Sequence, residues 1–362
     1  MSYLPIRQFT MPLVHYGPGS RALAGPQLLR LRADRVMLVS DETVLSQPWM
    51  AEIMHSLAEA ELEVTLFSDV SPNPRDHQVR KGAARYLKAE CNGILAVGGG
   101  SPMDAAKGIA MMVSNNRDIL EFRGMDQVEK PLPPMVFIPS TAGTASEVSQ
   151  FSIVVDMRER VKIAIVSNRI VPDVALVDPE TTATVDAALV AATGMDVLVH
   201  AMEAYVSTSH SDMTDLQALD AVRLVAAYLP ARMRNQGDVA ARNGMMLASM
   251  EAGLAFSNAI LGAVHAMAHS LGGLLDVPHG ECNAILLPYV VDFNYDAAPE
   301  RYDRLGRLLG VSADTPESDR KGALLSAIRN MQRVVGMDHG LAQVGVLASS
   351  IPALAMKARE DP

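Results

Sequence analysis

Short, wholly apolar runs rich in β-branched residues alternate with helical stretches through the first half of this 362-residue chain, and then stop. The runs at 35–40, 63–67, 93–97 and 135–138 predict strands, with helices predicted between them at 48–61 and 76–90. Two further apolar segments, 152–156 with 163–166, precede a last run at 174–177. Strands that are apolar throughout must be covered on both faces, and their alternation with helices implies a parallel sheet in an α/β domain. After Asp178-Pro179-Glu180-Thr181-Thr182 the texture changes to Ala-, Leu- and Met-rich stretches of helical period. Predicted helices cover 186–207, 212–228, 238–258, 261–274, 299–309 and 317–335. The expected organisation is an α/β domain over residues 1–182 and an all-helical domain over 183–362.

Charge and composition exclude several classes. With 31 basic and 41 acidic residues the net charge is −10, which lacks the basic footprint that nucleic-acid binding needs. Cys91 and Cys282 are too few for a disulfide framework, and the opening MSYLPIRQFT does not read as a signal peptide, so a cytoplasmic setting is expected. Residues 252–275 carry no Asp, Glu, Lys or Arg over 24 positions, long enough to span a bilayer. They also hold Asn258, His265, His269 and four glycines, so the expectation is a buried helical region and no membrane association.

Two loops and one constellation carry chemistry. Gly98-Gly99-Gly100-Ser101-Pro102-Met103-Asp104 follows a buried strand and opens a helix, where free backbone N–H groups and the helix dipole favour a phosphate. Ser101, Pro102 and Asp104 are spaced as N-cap, N1 and N3. The first strand ends in Ser40-Asp41-Glu42 with no glycine loop, so the standard dinucleotide fingerprint is absent. A second small-residue loop, 139–146, offers hydroxyls at Ser140, Thr141, Thr144 and Ser146. Farther on, Asp196 and His200 are four apart on one predicted helical face, and His265 and His269 repeat that spacing. His279 follows in a Pro/Gly-flanked loop. Two such pairs plus a third position predict a metal site with nitrogen and carboxylate ligands, suited to Fe²⁺, Zn²⁺, Co²⁺ or Ni²⁺.

With those residues in place, the chain resembles the iron-containing (group III) alcohol dehydrogenases. The resemblance lies in GGGSPMDAAK (98–107), PSTAGTASEV (139–148), PDVALVDPETT (172–182), ATGMDVLVHAMEAYVS (192–207), AFSNAILGAVHAMAHSLGG (255–273) and VPHGECNAILLP (277–288). It implies an N-terminal nucleotide-binding domain, a C-terminal helical domain, a site in the cleft between them, and a homodimer or larger assembly. Carried over by position, the metal ligands would be Asp196, His200, His265 and His279, with His269 nearby as a proton relay. Gly98, Gly99, Gly100, Ser101 and Asp104 would hold the pyrophosphate, assisted by Thr141, Thr144 and Ser146, and Lys162 would contact the cofactor. Asp41 would accept from the adenosine ribose and repel a 2′-phosphate, which favours NAD over NADP. The implied reaction is metal-assisted hydride transfer between a small primary alcohol or aldehyde and NAD, with Fe²⁺ as the expected metal and Zn²⁺ or another divalent ion as substitutes.

Two departures from the family pattern matter, the second of them for substrate. The family continues into another short helix beyond the equivalent of Pro362. Phe151 stands where diol-handling relatives carry a polar residue, and with Phe256 it predicts an apolar pocket for simple alcohols over diols. The competing readings are a diol (lactaldehyde/propanediol) oxidoreductase and a non-catalytic NAD- and metal-binding sensor of the same fold.

Overall fold

The computed structural model describes residues 8–159, 161–275 and 277–359. Nine strands form two sheets. β1 (Leu13–Tyr16), β2 (Arg35–Val39), β3 (Glu63–Phe67), β4 (Gly93–Gly98), β6 (Met135–Pro139) and β9 (Val174–Val177) make a six-stranded, wholly parallel sheet of order β1-β9-β6-β4-β2-β3. β5 (Gly124–Met125), β7 (Phe151–Asp156) and β8 (Val161–Val166) form a small sheet of order β5-β8-β7. In it β7 and β8 run antiparallel, placing Phe151 opposite Val166. Around the large sheet lie α1 (Ala24–Arg30), α2 (Glu42–Leu45), α3 (Met50–Glu59), α4 (Asp76–Lys88) and α5 (Gly100–Asn115).

The period of two in the strands divides the core into two faces. Met37 and Val39 pack with Ile94, Ala96 and Phe137 on one side. Val36 and Leu38 pack with Leu95, Val97, Val136 and Ile138 on the other. All are essentially unexposed, as strands covered on both faces must be. Strand order reverses at β2, with β3 on one side and β4 on the other, so a crevice opens beyond their carboxyl ends. Asp41 and the Gly99–Ser101 loop sit at that switch point.

After β9 the described elements are helical. α6 (Ala187–Val206), α7 (Asp212–Arg234), α8 (Val239–Ala259), α9 (Ala263–Leu275) and α10 (His279–Asn294) share one large core, bordered by α11 (Pro299–Leu308) and α12 (Glu317–Val334). α13 (Ile351–Ala358) closes on α9, where Ser270 Oγ donates to Leu354 O at 2.9 Å. α6 is long and apolar enough to cross a membrane, and 78% of its apolar window is buried inside the fold. The uncharged stretch 252–275 is not one helix: α8 and α9 meet at a 102° bend over residues 260–262.

Two local expectations are corrected. α5 starts at Gly100 with Gly99 as N-cap, so Ser101 and Asp104 do not form a capping box. Ser101 Oγ instead accepts from Asn73 N (3.1 Å), and Asp104 accepts from Ser146 Oγ (2.8 Å), each side chain being drawn to a neighbouring segment. His279 is the first residue of α10 and not part of a loop, and Gly280 lets that helix start against α6: a Cβ there would lie 2.0 Å from Ala192 O. The DPETT segment has a structural task. Buried Asp178 accepts from Gly19 N (2.9 Å) and Arg21 Nη1 (2.6 Å), and Thr181 Oγ1 donates to Pro139 O (2.6 Å).

Candidate metal and dinucleotide site

Four histidines and one carboxylate meet at the junction of α6, α9 and α10. Asp196 Oδ1 lies 3.7 Å from His265 Nε2, 3.7 Å from His279 Nε2 and 3.9 Å from His200 Nε2. Candidate ligand atoms of Asp196, His265 and His279 all fall within 4.8 Å of one another. The His200 ring stacks between His265 (4.5 Å) and Phe256 (4.3 Å), and its buried Nδ1 has no hydrogen-bond partner among the described residues. His269 stands just outside, stacked on His279 at 5.3 Å. The two i, i+4 pairs are brought together because α6 and α9 each present one face to the same point.

Three of the four candidate ligands, Asp196, His200 and His279, hold the charge state that a cation needs. Burial alone would raise Asp196, but His200, His279 and His265 override it and hold the carboxyl far below its usual range. Burial pushes His200 down to about 4 and holds His279 well below an ordinary imidazole, leaving their nitrogens as lone-pair donors. For His265, burial acts downward, but Asp196 and Glu203 on either side raise it to about 9. Asn283, which the sequence reading missed, is fully buried at the focus. Its Nδ2 lies 2.6 Å from Asp196 Oδ1, 3.1 Å from His265 Nε2 and 3.2 Å from His279 Nε2. An amide NH₂ has only two protons for the three atoms it faces, whereas a divalent cation, displacing the proton from His265, would be matched by all of them, so the residues fit a bound metal.

A cavity of about 490 Å³ opens over the cluster and is lined by Gly100, Ser101, Asp104, Thr144, Ser146 and Lys162 as well as by His200, His265, His269 and His279. Phe151 and Phe256, 5.6 Å apart, form its apolar wall. A second, larger cavity of about 960 Å³ runs along the sheet's carboxyl edge past Gly99, Ser101 and Thr141 to Asp41. Pro72, Ser101 and Leu189 border both, so the two cavities adjoin between the sheet edge and the histidine cluster. Gly98 ends β4 and lines neither. Asp41 caps α2 through Val44 N (2.9 Å) while facing the far end of the cleft. Asn73, also missed in the sequence, lines the metal-side cavity beside Ser101. No periodicity marks it; the only signal was its Pro-flanked position in Ser71-Pro72-Asn73-Pro74.

Behind the cavity lies a buried polar group that sequence patterning did not single out. Lys107, fully buried, donates to Ser149 O (2.7 Å) and Phe151 O (2.8 Å), anchoring the start of β7. Burial pushes it down to about 8, Asp104 up to about 6 and Glu147 up to about 7. An unfolded Glu147 would titrate near 4.5, so between about 4.5 and 7 the unfolded chain binds fewer protons and stability falls as pH rises. Glu147→Gln removes that loss. Its stability relative to wild type is expected to improve by roughly 2 kcal/mol between pH 5 and pH 7.5, measured by urea denaturation at both pH values. An unchanged difference would show that Glu147 does not titrate in this window.

Comparison with known proteins agrees with this geometry. Residues 12–179 match the iron-containing alcohol dehydrogenase family, and residues 190–362 match the C-terminal part of the Fe-containing alcohol dehydrogenase family. The chain is 38% identical to a 1,3-propanediol dehydrogenase of Klebsiella pneumoniae, covering 100% of this chain and 94% of the relative. It is 36% identical to an NAD-dependent methanol dehydrogenase of Bacillus methanolicus, over 98% and 93% of the two chains. A solved 1,3-propanediol oxidoreductase superposes with a TM-score of 0.96 at 38% identity, covering 99% of this chain and 94% of that one. Family matches over both halves, relatives that cover the whole chain and a superposing fold therefore agree: the chain belongs to the iron-containing alcohol dehydrogenase family.

Proposed function

We propose that the protein is an NAD-dependent, divalent-metal-dependent alcohol dehydrogenase acting on small primary alcohols and aldehydes. The observation that carries this reading is that the cavity lined by Gly99 and Thr141 adjoins, at Ser101, the cavity over the Asp196–His265–His279 cluster. When bound, the metal would polarise the alcohol oxygen as a Lewis acid and the nicotinamide would take the hydride. Asp196, His200, His265 and His279 supply the metal's oxygen and nitrogen donors, and Fe²⁺ is the ion we propose. The N–H groups at the start of α5 face the cleft where a diphosphate would lie, with Thr141, Thr144 and Ser146 as further donors. Lys162 adds a positive charge on the metal side, and Asp41 accepts from ribose hydroxyls at the far end. Phe151 and Phe256 keep water from the substrate's carbon chain. His269, beside His279 and in the same cavity, is placed to pass a proton toward solvent. The reading includes working domains of 1–182 and 183–362, a homodimer or larger assembly, and a cytoplasmic setting.

The test is NAD-linked oxidation of ethanol, butanol and 1,3-propanediol by protein stripped of metal and reloaded anaerobically with Fe²⁺ or Zn²⁺. An apolar pocket discriminates a methyl from a hydroxyl by about 1–3 kcal/mol, so butanol is expected to exceed propanediol roughly 10-fold or more in kcat/KM. The diol reading is favoured by the name of the Klebsiella relative, and a clear propanediol preference would establish it. No NAD reduction with either metal would overturn the dehydrogenase reading for these substrates.

A further inference from the structure

One buried carboxylate connects the metal cluster to the wall of the substrate cavity. Glu203 lies on α6, three residues after His200, and is 6% exposed. Its Oε1 accepts from Val264 N at 2.7 Å, and its Oε2 accepts from Gly262 N at 3.0 Å and faces His265 Nδ1 at 2.6 Å. Two of these partners are backbone groups of the α8–α9 bend. The third is the far side of a candidate metal ligand.

The bend has reason to need a tether. Ile260 has φ 66° and ψ 160°, a region left almost entirely to glycine, and it is β-branched. Ile260, Leu261 and Gly262 line the substrate cavity. Gly262 is required by the tether itself, since a Cβ there would lie 2.8 Å from Glu203 Oε1. Ser207, the residue that ends α6, makes a separate contact with the same bend by donating to Ala259 O at 2.5 Å. At His265, a carboxylate facing Nδ1 demands a proton on that nitrogen, which leaves Nε2, 3.7 Å from Asp196 Oδ1, as the ring nitrogen available to a metal.

We propose that Glu203 is a positioning residue: it fixes His265 with its proton on Nδ1 and holds the 260–264 bend, so one side chain sets both metal affinity and the shape of the alcohol pocket. This rests on the metal-site reading above. Outer carboxylates of this kind typically contribute 10–100-fold to metal affinity.

The experiment measures Co²⁺ affinity by chelator competition and the visible spectrum of the Co²⁺-loaded protein, for wild type, Glu203→Gln, Glu203→Ala and Ser207→Ala. Glu203→Ala is expected to bind Co²⁺ 10–100-fold more weakly, with an altered spectrum and a raised KM for butanol. Glu203→Gln should fall between it and wild type, because an amide can keep its oxygen toward Gly262 and His265 only by setting its NH₂ against Val264 N–H. Ser207→Ala, which loosens the same bend without touching His265, is expected to keep Co²⁺ affinity within about twofold. Folded Glu203→Ala with wild-type affinity and spectrum would overturn the proposal alone. Wild type that takes up no Co²⁺ would overturn the metal reading and this one with it. Should the variants not fold, ¹⁵N-histidine NMR of zinc-loaded wild type decides: a proton on His265 Nδ1 supports the proposal, and one on Nε2 overturns it.

Discussion

Asp196→Ala protein is expected to emerge without a tightly held divalent metal and to lose at least ~10³-fold in kcat/KM with ethanol and NAD, about 4 kcal/mol of transition-state stabilisation. Asp196 is the one anion among the inward-facing donors, and His200, His265 and His279 each lie within 3.9 Å of its Oδ1. Without it only imidazole nitrogens remain to face the cation, whose charge then goes uncompensated in a buried site. Asp196→Asn keeps the shape and one acceptor oxygen, so it separates charge from packing. Both variants should fail in metal retention, read by elemental analysis after gel filtration, while NADH binding persists. Retention of metal together with activity within 10-fold of wild type would place the catalytic metal elsewhere.

Gly99→Val is expected to produce the complementary defect. Gly99 has φ −80° and ψ −162°, extended backbone that valine adopts readily, so the fold should be preserved. A Cβ at this position would lie 3.3 Å from Thr141 Oγ1, and the branched methyls beyond it would fill the gap between the two loops. Both residues line the cleft that runs from Asp41 along the sheet edge. The dissociation constant for NADH, followed by fluorescence, should rise ~100-fold, equivalent to about 2.7 kcal/mol, with metal content unchanged. A change below threefold would mean that the diphosphate does not pass between Gly99 and Thr141. Together the two variants divide the site: one loses metal and keeps dinucleotide, the other does the reverse.

These predictions draw on residues that differ in how they could be found. Asp196 and His200, like His265 and His269, are paired by the 3.6-residue period of a helix, so their common face could be read from spacing. Gly99 was legible because a glycine run between a wholly apolar strand and a helix has few other uses. Phe151 and Phe256, 105 positions apart in the sequence, were joined only through the family resemblance, and the structure brings their rings to 5.6 Å. Glu203, Asn283 and Lys107 carried no usable signal. Each lies in a stretch of helical period where a polar residue reads as one more position on the helix, and each acts on a partner from another element.

The sequence by itself determined the parallel α/β half, the change to helices after 182, the glycine loop and the histidine pairs, because these are local patterns with a fixed period or a fixed backbone demand. Tertiary structure alone decided where α5 begins, that the uncharged stretch 252–275 bends by 102°, and that Glu203 meets His265 across 62 residues of chain. Those outcomes depend on competition among distant partners. Ser101 and Asp104 were spaced to cap their own helix, yet Asn73 and Ser146 hold them instead, and no local pattern records which partner a folded chain will bring within reach.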